Sequence, residues 1–129
     1  VAKQNFTTSL SGTVVRFSGN GRKLGYPTAN IKVETDLGEG VYFGYANLDE
    51  HVNSPALIFI GEPKVIEDKT WRVEAHLLDI EDKDYYDQQL KVKILHFHRP
   101  NQFFDSSEKL VDAMKADETA ARAWFKEHK

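Results

Sequence analysis

A mainly β fold with a helical segment at its C-terminal end is the class this sequence predicts, and three observations carry it. Runs rich in β-branched and aromatic residues recur between Ser11 and His98, several alternating apolar and polar with period two. No helical pattern separates these runs, so a parallel sheet of βαβ units is disfavoured. From Ser106 onward the apolar period lengthens to that of a helix. Strands followed by helices imply a barrel or sandwich with the helices packed on one side.

Taken in order, Ser11 to Phe17 contains Thr13-Val14-Val15 and reads as the first strand. Ile31-Lys32-Val33 is a short extended piece, and Glu34 to Gly40 a polar connection. Val41 to Leu48 is a second strong strand, with small Gly44 and Ala46 inside it. Asp49 to Pro55 reads as a loop, and Ala56 to Ile60 as a buried strand that Gly61-Glu62-Pro63 breaks. Between Trp71 and Ile80, alternation turns Trp71, Val73, Ala75 and Leu77 to the core and Arg72, Glu74 and His76 to the other face. The acidic stretch Asp79 to Asp87, with Tyr85-Tyr86 inside it, reads as a hairpin loop. Leu90 to His98 is the next strand, with Lys91 and Lys93 opposite Val92 and Ile94. Asp105 or Ser106 caps an amphipathic helix over Ser107 to Lys115, and Asp117 caps a second through Trp124-Phe125.

The bulk numbers narrow the function classes. At 129 residues the chain is expected to be one domain, 1–129, with a barrel over about 9–99 and a helical segment over about 105–127. No run approaches the ~20 apolar residues of a membrane span, and no basic region precedes an apolar stretch as in a secretion signal. The absence of cysteine removes disulfide and thiolate chemistry and fits a cytoplasmic location. The net charge is −3, yet Lys3, Arg16, Arg22, Lys23 and Lys32 stand in the first 33 residues without an acidic side chain. A mildly acidic chain with one basic end is a poor nucleic-acid binder and suits a small anion such as a nucleotide. The chain begins with Val1, which leaves open a monomeric stand-alone protein or a piece of a longer one.

The stretch that gathers most chemistry is Gly19-Asn20-Gly21-Arg22-Lys23-Leu24-Gly25-Tyr26-Pro27-Thr28-Ala29-Asn30. Glycine lets a backbone turn tightly and approach a ligand closely, and Arg22 and Lys23 add positive charge beside the turn. Pro27 pushes Tyr26 toward an extended conformation. If the extension continues, Thr28 and Asn30 point to one side. A hydroxyl and a carboxamide oxygen so placed are hard ligands suited to Mg²⁺ carrying phosphate. The same spacing also fits a glycine turn entering a strand. It is neither a Walker loop nor a dinucleotide fingerprint, because Gly21 lacks the Lys-Ser/Thr sequel and Gly25 falls one residue late.

Gly-Arg-Lys-Leu-Gly-Tyr-Pro-Thr-Ala-Asn resembles the signature of the riboflavin kinase family, usually Gly-Arg-x-Leu-Gly-Phe-Pro-Thr-Ala-Asn. The resemblance continues through Gly40-Val41-Tyr42, Val73-Glu74-Ala75-His76-Leu77-Leu78-Asp79, Arg99-Pro100 and Phe104-Asp105-Ser106, from about Ser11 to Arg122. It implies a six-stranded antiparallel Greek-key β-barrel with a C-terminal helical segment. It implies ATP-dependent phosphorylation of the riboflavin 5′-hydroxyl to give FMN and ADP. Glu74 falls on the family's catalytic base, Thr28 and Asn30 on its Mg²⁺- and phosphate-binding pair. Gly19, Gly21, Arg22, Lys23 and Pro27 fall on the loop that closes over ATP. Arg99 and Phe104 fall where the last strand and its loop border the flavin. An upstream adenylyltransferase module, as in bifunctional FAD synthetases, is compatible with it.

Each residue also has a plainer reading. Glu74 alone is a solvated strand residue paired with Arg72 or a lysine, and Phe103 and Phe104 can staple a helix start. His76, His96 and His98 lack the spacing of a three-ligand metal site and read as ordinary polar strand residues. The sequence departs from the family pattern at Glu62 to Val65, at Asp87 after Tyr85-Tyr86 where glycine is usual, and at His98. Those departures leave an alternative, a non-catalytic flavin- or nucleotide-binding regulatory module on the same barrel.

Overall fold

The computed structural model describes residues 8–15, 28–33, 35–61, 72–80, 85–102 and 105–128, with the side chains of Thr28 and Ser107 excepted. Among the described residues, six strands, β1 (Thr8–Thr13), β2 (Thr28–Lys32), β3 (Gly40–Leu48), β4 (His51–Gly61), β5 (Arg72–Leu77) and β6 (Gln89–Arg99), precede one helix, α1 (Ser107–Glu127). All pairings are antiparallel, in the order β1-β6-β3-β4-β5-β2. The sheet curls until its edges nearly meet. Val14 N–H bonds the Gln88 carbonyl at 2.8 Å, and Val15 N–H bonds the Asn30 carbonyl at 2.8 Å. One extended segment thus runs along β6 and then crosses to β2.

The curvature has local causes. The β3–β6 register shifts between Val41 and Tyr42 and again between Phe43 and Gly44, and such bulges bend a sheet. A Cβ on Gly44 would stand 2.0 Å from the Lys93 carbonyl oxygen, so only glycine admits that approach.

The barrel interior is filled by the inward-facing side chains of every strand, among them Ile31, Ala46, Ile58, Val73, Ala75, Leu90 and Ile94. Tyr85 closes it from the turn before β6. A second apolar cluster lies outside the barrel, where Val41, Phe43, Leu57 and Leu78 meet Ala121 and Phe125 of α1. The alternation predicted for β5 and β6 holds over the described residues: Val73, Ala75 and Leu77 are buried inside, and Lys91 and Lys93 are exposed between buried Leu90, Val92 and Ile94, while Trp71 lies outside the described residues.

Three expectations are corrected. Asp49 to Pro55 is no loop: Asp49 takes a left-handed φ of 57°, a two-residue turn suffices, and β4 starts at His51. The first strand begins earlier than Ser11: its pairing with β6 runs over Thr8–Thr13, while Arg16 and Phe17 of the expected span lie outside the described residues. The C-terminal region is one 21-residue helix, with Ser106 as its cap, accepting from Lys109 N–H at 3.2 Å. Asp117 caps nothing; it lies mid-helix and buried, held by partners from β6.

Candidate active site

The strand register assembles a row across the outer face. Asn30 of β2 stands opposite Glu74 of β5, Glu74 opposite Phe59 of β4, Phe59 opposite Val41 of β3, and Val41 opposite Arg99 of β6. Three residues singled out in the sequence, Asn30, Glu74 and Arg99, therefore share one row although 69 positions separate the first from the last. A neighbouring row runs Thr28, His76, Leu57, Phe43, His96. Thr28 and Asn30, two apart on β2, occupy the same face of successive rows.

Glu74 is partly open to solvent, with 23% of its side chain accessible, while the side chain of His76 beside it is only 3% accessible. His76 Nε2 lies 3.3 Å from Glu74 Oε1. Burial pushes the Glu74 carboxyl up. The neighbouring imidazole of His76 and the Arg72 guanidinium outweigh this and hold it below the ordinary carboxylate value. Glu74 is accordingly ionised at neutral pH and ready to accept a proton. Asn30 is buried at 6% exposure, its backbone carbonyl already committed to Val15.

At the far end of the row, Arg99 forks onto Asp117 of α1. Nε donates to Oδ1 at 2.8 Å and Nη2 to Oδ2 at 2.7 Å, and His98 Nε2 lies 3.2 Å from the same Oδ1. Asp117 is 2% exposed, so a buried carboxylate on the helix holds Arg99 and contacts His98 of β6. Phe43 stacks against both His96 and His98, with centroids 5.5 and 4.7 Å apart, and Trp124 stacks on His96 at 5.4 Å. Among the described residues no three His, Cys, Asp or Glu side chains are grouped to hold a metal. Hard-oxygen ligation by Thr28 and Asn30 would need few protein ligands, since Mg²⁺ keeps waters and phosphate oxygens for the rest.

Gly19, Gly21, Arg22, Lys23, Pro27, Phe103, Phe104 and the departures at 62–65 lie outside the described residues. Asp87, where the family pattern usually has glycine, has φ 70°, a conformation glycine adopts freely and aspartate tolerates better than most. Sequence reasoning missed two partners, His76 for Glu74 and Asp117 for Arg99. The first carried a signal, an acid and an imidazole two apart on one strand face; the second did not. A cavity of about 360 Å³ lined by Tyr45, Pro55, Leu78, Arg122 and Phe125 lies on the same outer face, four residues along each strand from the row of Glu74, and includes none of the site residues.

A nearly closed antiparallel barrel with a carboxylate and a carboxamide side by side on its outer wall fits a small phosphotransferase whose catalysis is mostly positioning. The family model described as riboflavin kinase matches residues 4–125. The chain belongs to the riboflavin kinase family, enzymes that phosphorylate riboflavin with ATP to give FMN. It is 32% identical over 126 residues to the riboflavin kinase of Homo sapiens, covering 91% of this chain and 81% of that one. It is 35% identical over 119 residues to the trifunctional protein RibF/MnmA of Mycoplasmoides gallisepticum, covering 90% of this chain but only 18% of that longer protein. The crystal structure of riboflavin kinase from Trypanosoma brucei superposes with a TM-score of 0.71 at 26% identity, covering 98% of this chain and 83% of that one. No helix among the described residues is long and apolar enough to cross a membrane.

Proposed function

We propose that this chain transfers the γ-phosphoryl group of ATP to the ribityl 5′-hydroxyl of riboflavin with Glu74 as the general base. The observation that carries the assignment is the pairing of Asn30 with Glu74 across β2 and β5, which sets a carboxamide beside a carboxylate and so supports a phosphate-side role for the first and an acceptor-side role for the second. Phosphoryl transfer passes through a loose transition state, so the demand on the protein is alignment and charge compensation. A carboxylate held below its ordinary pKa is a weak base but a well-ionised acceptor. It orients the hydroxyl and takes its proton as the P–O bond forms and ADP departs.

Thr28 and Asn30 would hold Mg²⁺, which supplies charge neutralisation at the phosphate oxygens. The glycine-bearing segment with Gly19, Gly21, Arg22, Lys23 and Pro27 would cradle the triphosphate. Arg99 lies three strands from Glu74, roughly 14 Å at the usual strand spacing. That span suits an extended substrate lying along the row, with Phe104 bordering its ring. A cytoplasmic setting, a monomer, or fusion to an upstream adenylyltransferase module are parts of the same proposal.

FMN formation from riboflavin and MgATP by the purified chain tests the activity, and Thr28→Ala tests the ligand pair. The variant is expected to stay folded, bind MgATP less well and turn over more slowly. Normal turnover with unchanged Mg²⁺ dependence would remove Thr28 from the site.

A further inference from the structure

We propose that His76 is the positioning residue for Glu74: it holds one carboxylate oxygen so that the other meets the substrate hydroxyl. The inference rests on the reading of Glu74 as the base.

His76 is 2% exposed, and its Nε2 lies 3.3 Å from Glu74 Oε1, a close contact that lacks the alignment of a formed hydrogen bond and needs only a small turn of the carboxylate to become one. The imidazole is itself fixed. Its ring centroid lies 4.5 Å from that of Phe59, and Leu57 stands opposite it in register. Both residues sit on β5, flanked by β4 and β2, where a side chain is held more firmly than on a loop. Most of the buried positions on this outer face are apolar, among them Val41, Phe43, Leu57 and Leu78, with Asn30 in the row of Glu74 and Asp117 of α1 the other buried polar groups among the described residues. An imidazole in such a place carries a desolvation cost that an apolar side chain would avoid, and Glu74 Oε1 is a carboxylate oxygen within its reach.

The consequence for Glu74 is geometric. A glutamate has three rotatable side-chain bonds, and freezing them costs free energy that must be supplied by contacts. Capture of Oε1 by a buried, packed imidazole supplies it before substrate arrives, and leaves Oε2 to accept from the 5′-hydroxyl. A displacement of about 1 Å in such a group costs on the order of 10²-fold in rate.

A double-mutant cycle on the full chain tests this, with kcat, KM for ATP, KM for riboflavin and thermal unfolding measured together. His76→Leu, which keeps volume and removes the donor, is expected to lower kcat about 10- to 100-fold with KM for ATP within about twofold. His76→Gln places an amide Nε2 within reach of the same oxygen and is expected to restore most of the loss. In a Glu74→Ala background there is no carboxylate to hold, so His76→Leu should cost nothing further. Parental kcat in a folded His76→Leu chain would overturn the proposal, as would the full loss persisting in the Glu74→Ala background. If His76→Leu fails to fold, His76→Gln and His76→Asn decide the matter, because the shorter amide cannot reach. Gln ahead of Asn by about tenfold supports positioning, and equal rates refute it. Should Glu74→Ala alone turn over like the parent, the base assignment itself fails and takes this inference with it.

Discussion

The two faces of this barrel wall are built from different materials. The inner face is apolar and drawn from all six strands, its members mostly aliphatic or small, and among the described residues its proton-bearing side chains are the tyrosines Tyr42, Tyr85 and, at its margin, Tyr86. The outer face, where α1 covers β3 and β4, mixes aromatic rings with Glu74, His76, His96, His98, Arg99 and Asp117. Strand alternation makes this division possible, since neighbouring residues on one strand serve opposite faces. Val73 and Glu74 are adjacent, yet one is fully buried in the core and the other is partly open to solvent on the outer face. Stability and chemistry are thus separated by a single peptide unit rather than by distance, and substitutions on the two faces should fail in different ways.

The largest expected effect is on the outer face. Glu74→Gln preserves shape and removes the proton acceptor, so FMN formation should fall about 10²- to 10⁴-fold. Thermal unfolding and riboflavin binding should change little. Activity within a factor of a few of the parent would break the comparison at its centre. Because the carboxyl is held below its ordinary value of 4.5, turnover in the parent should not lose its base as pH falls until below that value. Any stability Glu74 contributes through that depressed pKa is present above its unfolded value and is lost as pH falls through the folded one.

Next comes the inner face. Ile58→Ala empties a fully buried site and should cost about 2–5 kcal/mol of stability. Turnover per folded molecule should stay near the parent's. Denaturant unfolding paired with activity measured well below the midpoint reads both, and a large fall in kcat with intact stability would contradict the division.

Asp117→Asn sharpens the boundary, because Asp117 is buried but belongs to the outer side. It deprives Arg99 and His98 of a shared acceptor whose forked geometry an amide cannot reproduce. A loss of about 1–3 kcal/mol is expected, accompanied by a change in Trp124 fluorescence as α1 loosens from β6. If stability drops while fluorescence is unmoved, the clamp does not anchor the helix.

The smallest effect is reserved for the exposed end. Arg122 donates to Asp79 at 3.0 and 2.9 Å and to Glu118 at 2.8 Å. Both Asp79 and Arg122 are well exposed, so Arg122→Ala should cost under about 1 kcal/mol, less still in high salt. A larger, salt-insensitive loss would show that this corner is part of the second apolar cluster rather than its rim.

What the sequence by itself determined is whatever depends on local pattern. Period-two alternation assigned the faces of β5 and β6 correctly, and the order of motifs marked Asn30, Glu74 and Arg99 before any fold was known. The change to helical period near Ser106 placed the start of α1. What only the tertiary structure decided depends on pairing. The ends of β1 and β4 follow their partners: Asp49 accepts a left-handed conformation, so a polar run that reads as loop becomes strand. Asp117 looks like a helix cap because aspartate favours caps, but an arginine and a histidine from β6 reward it more in the middle of a helix. The row joining Asn30, Glu74, Phe59, Val41 and Arg99 is a property of register. Register is set by cross-strand hydrogen bonds and bulges between segments far apart in the chain, and no residue in the row carries the identity of its neighbour.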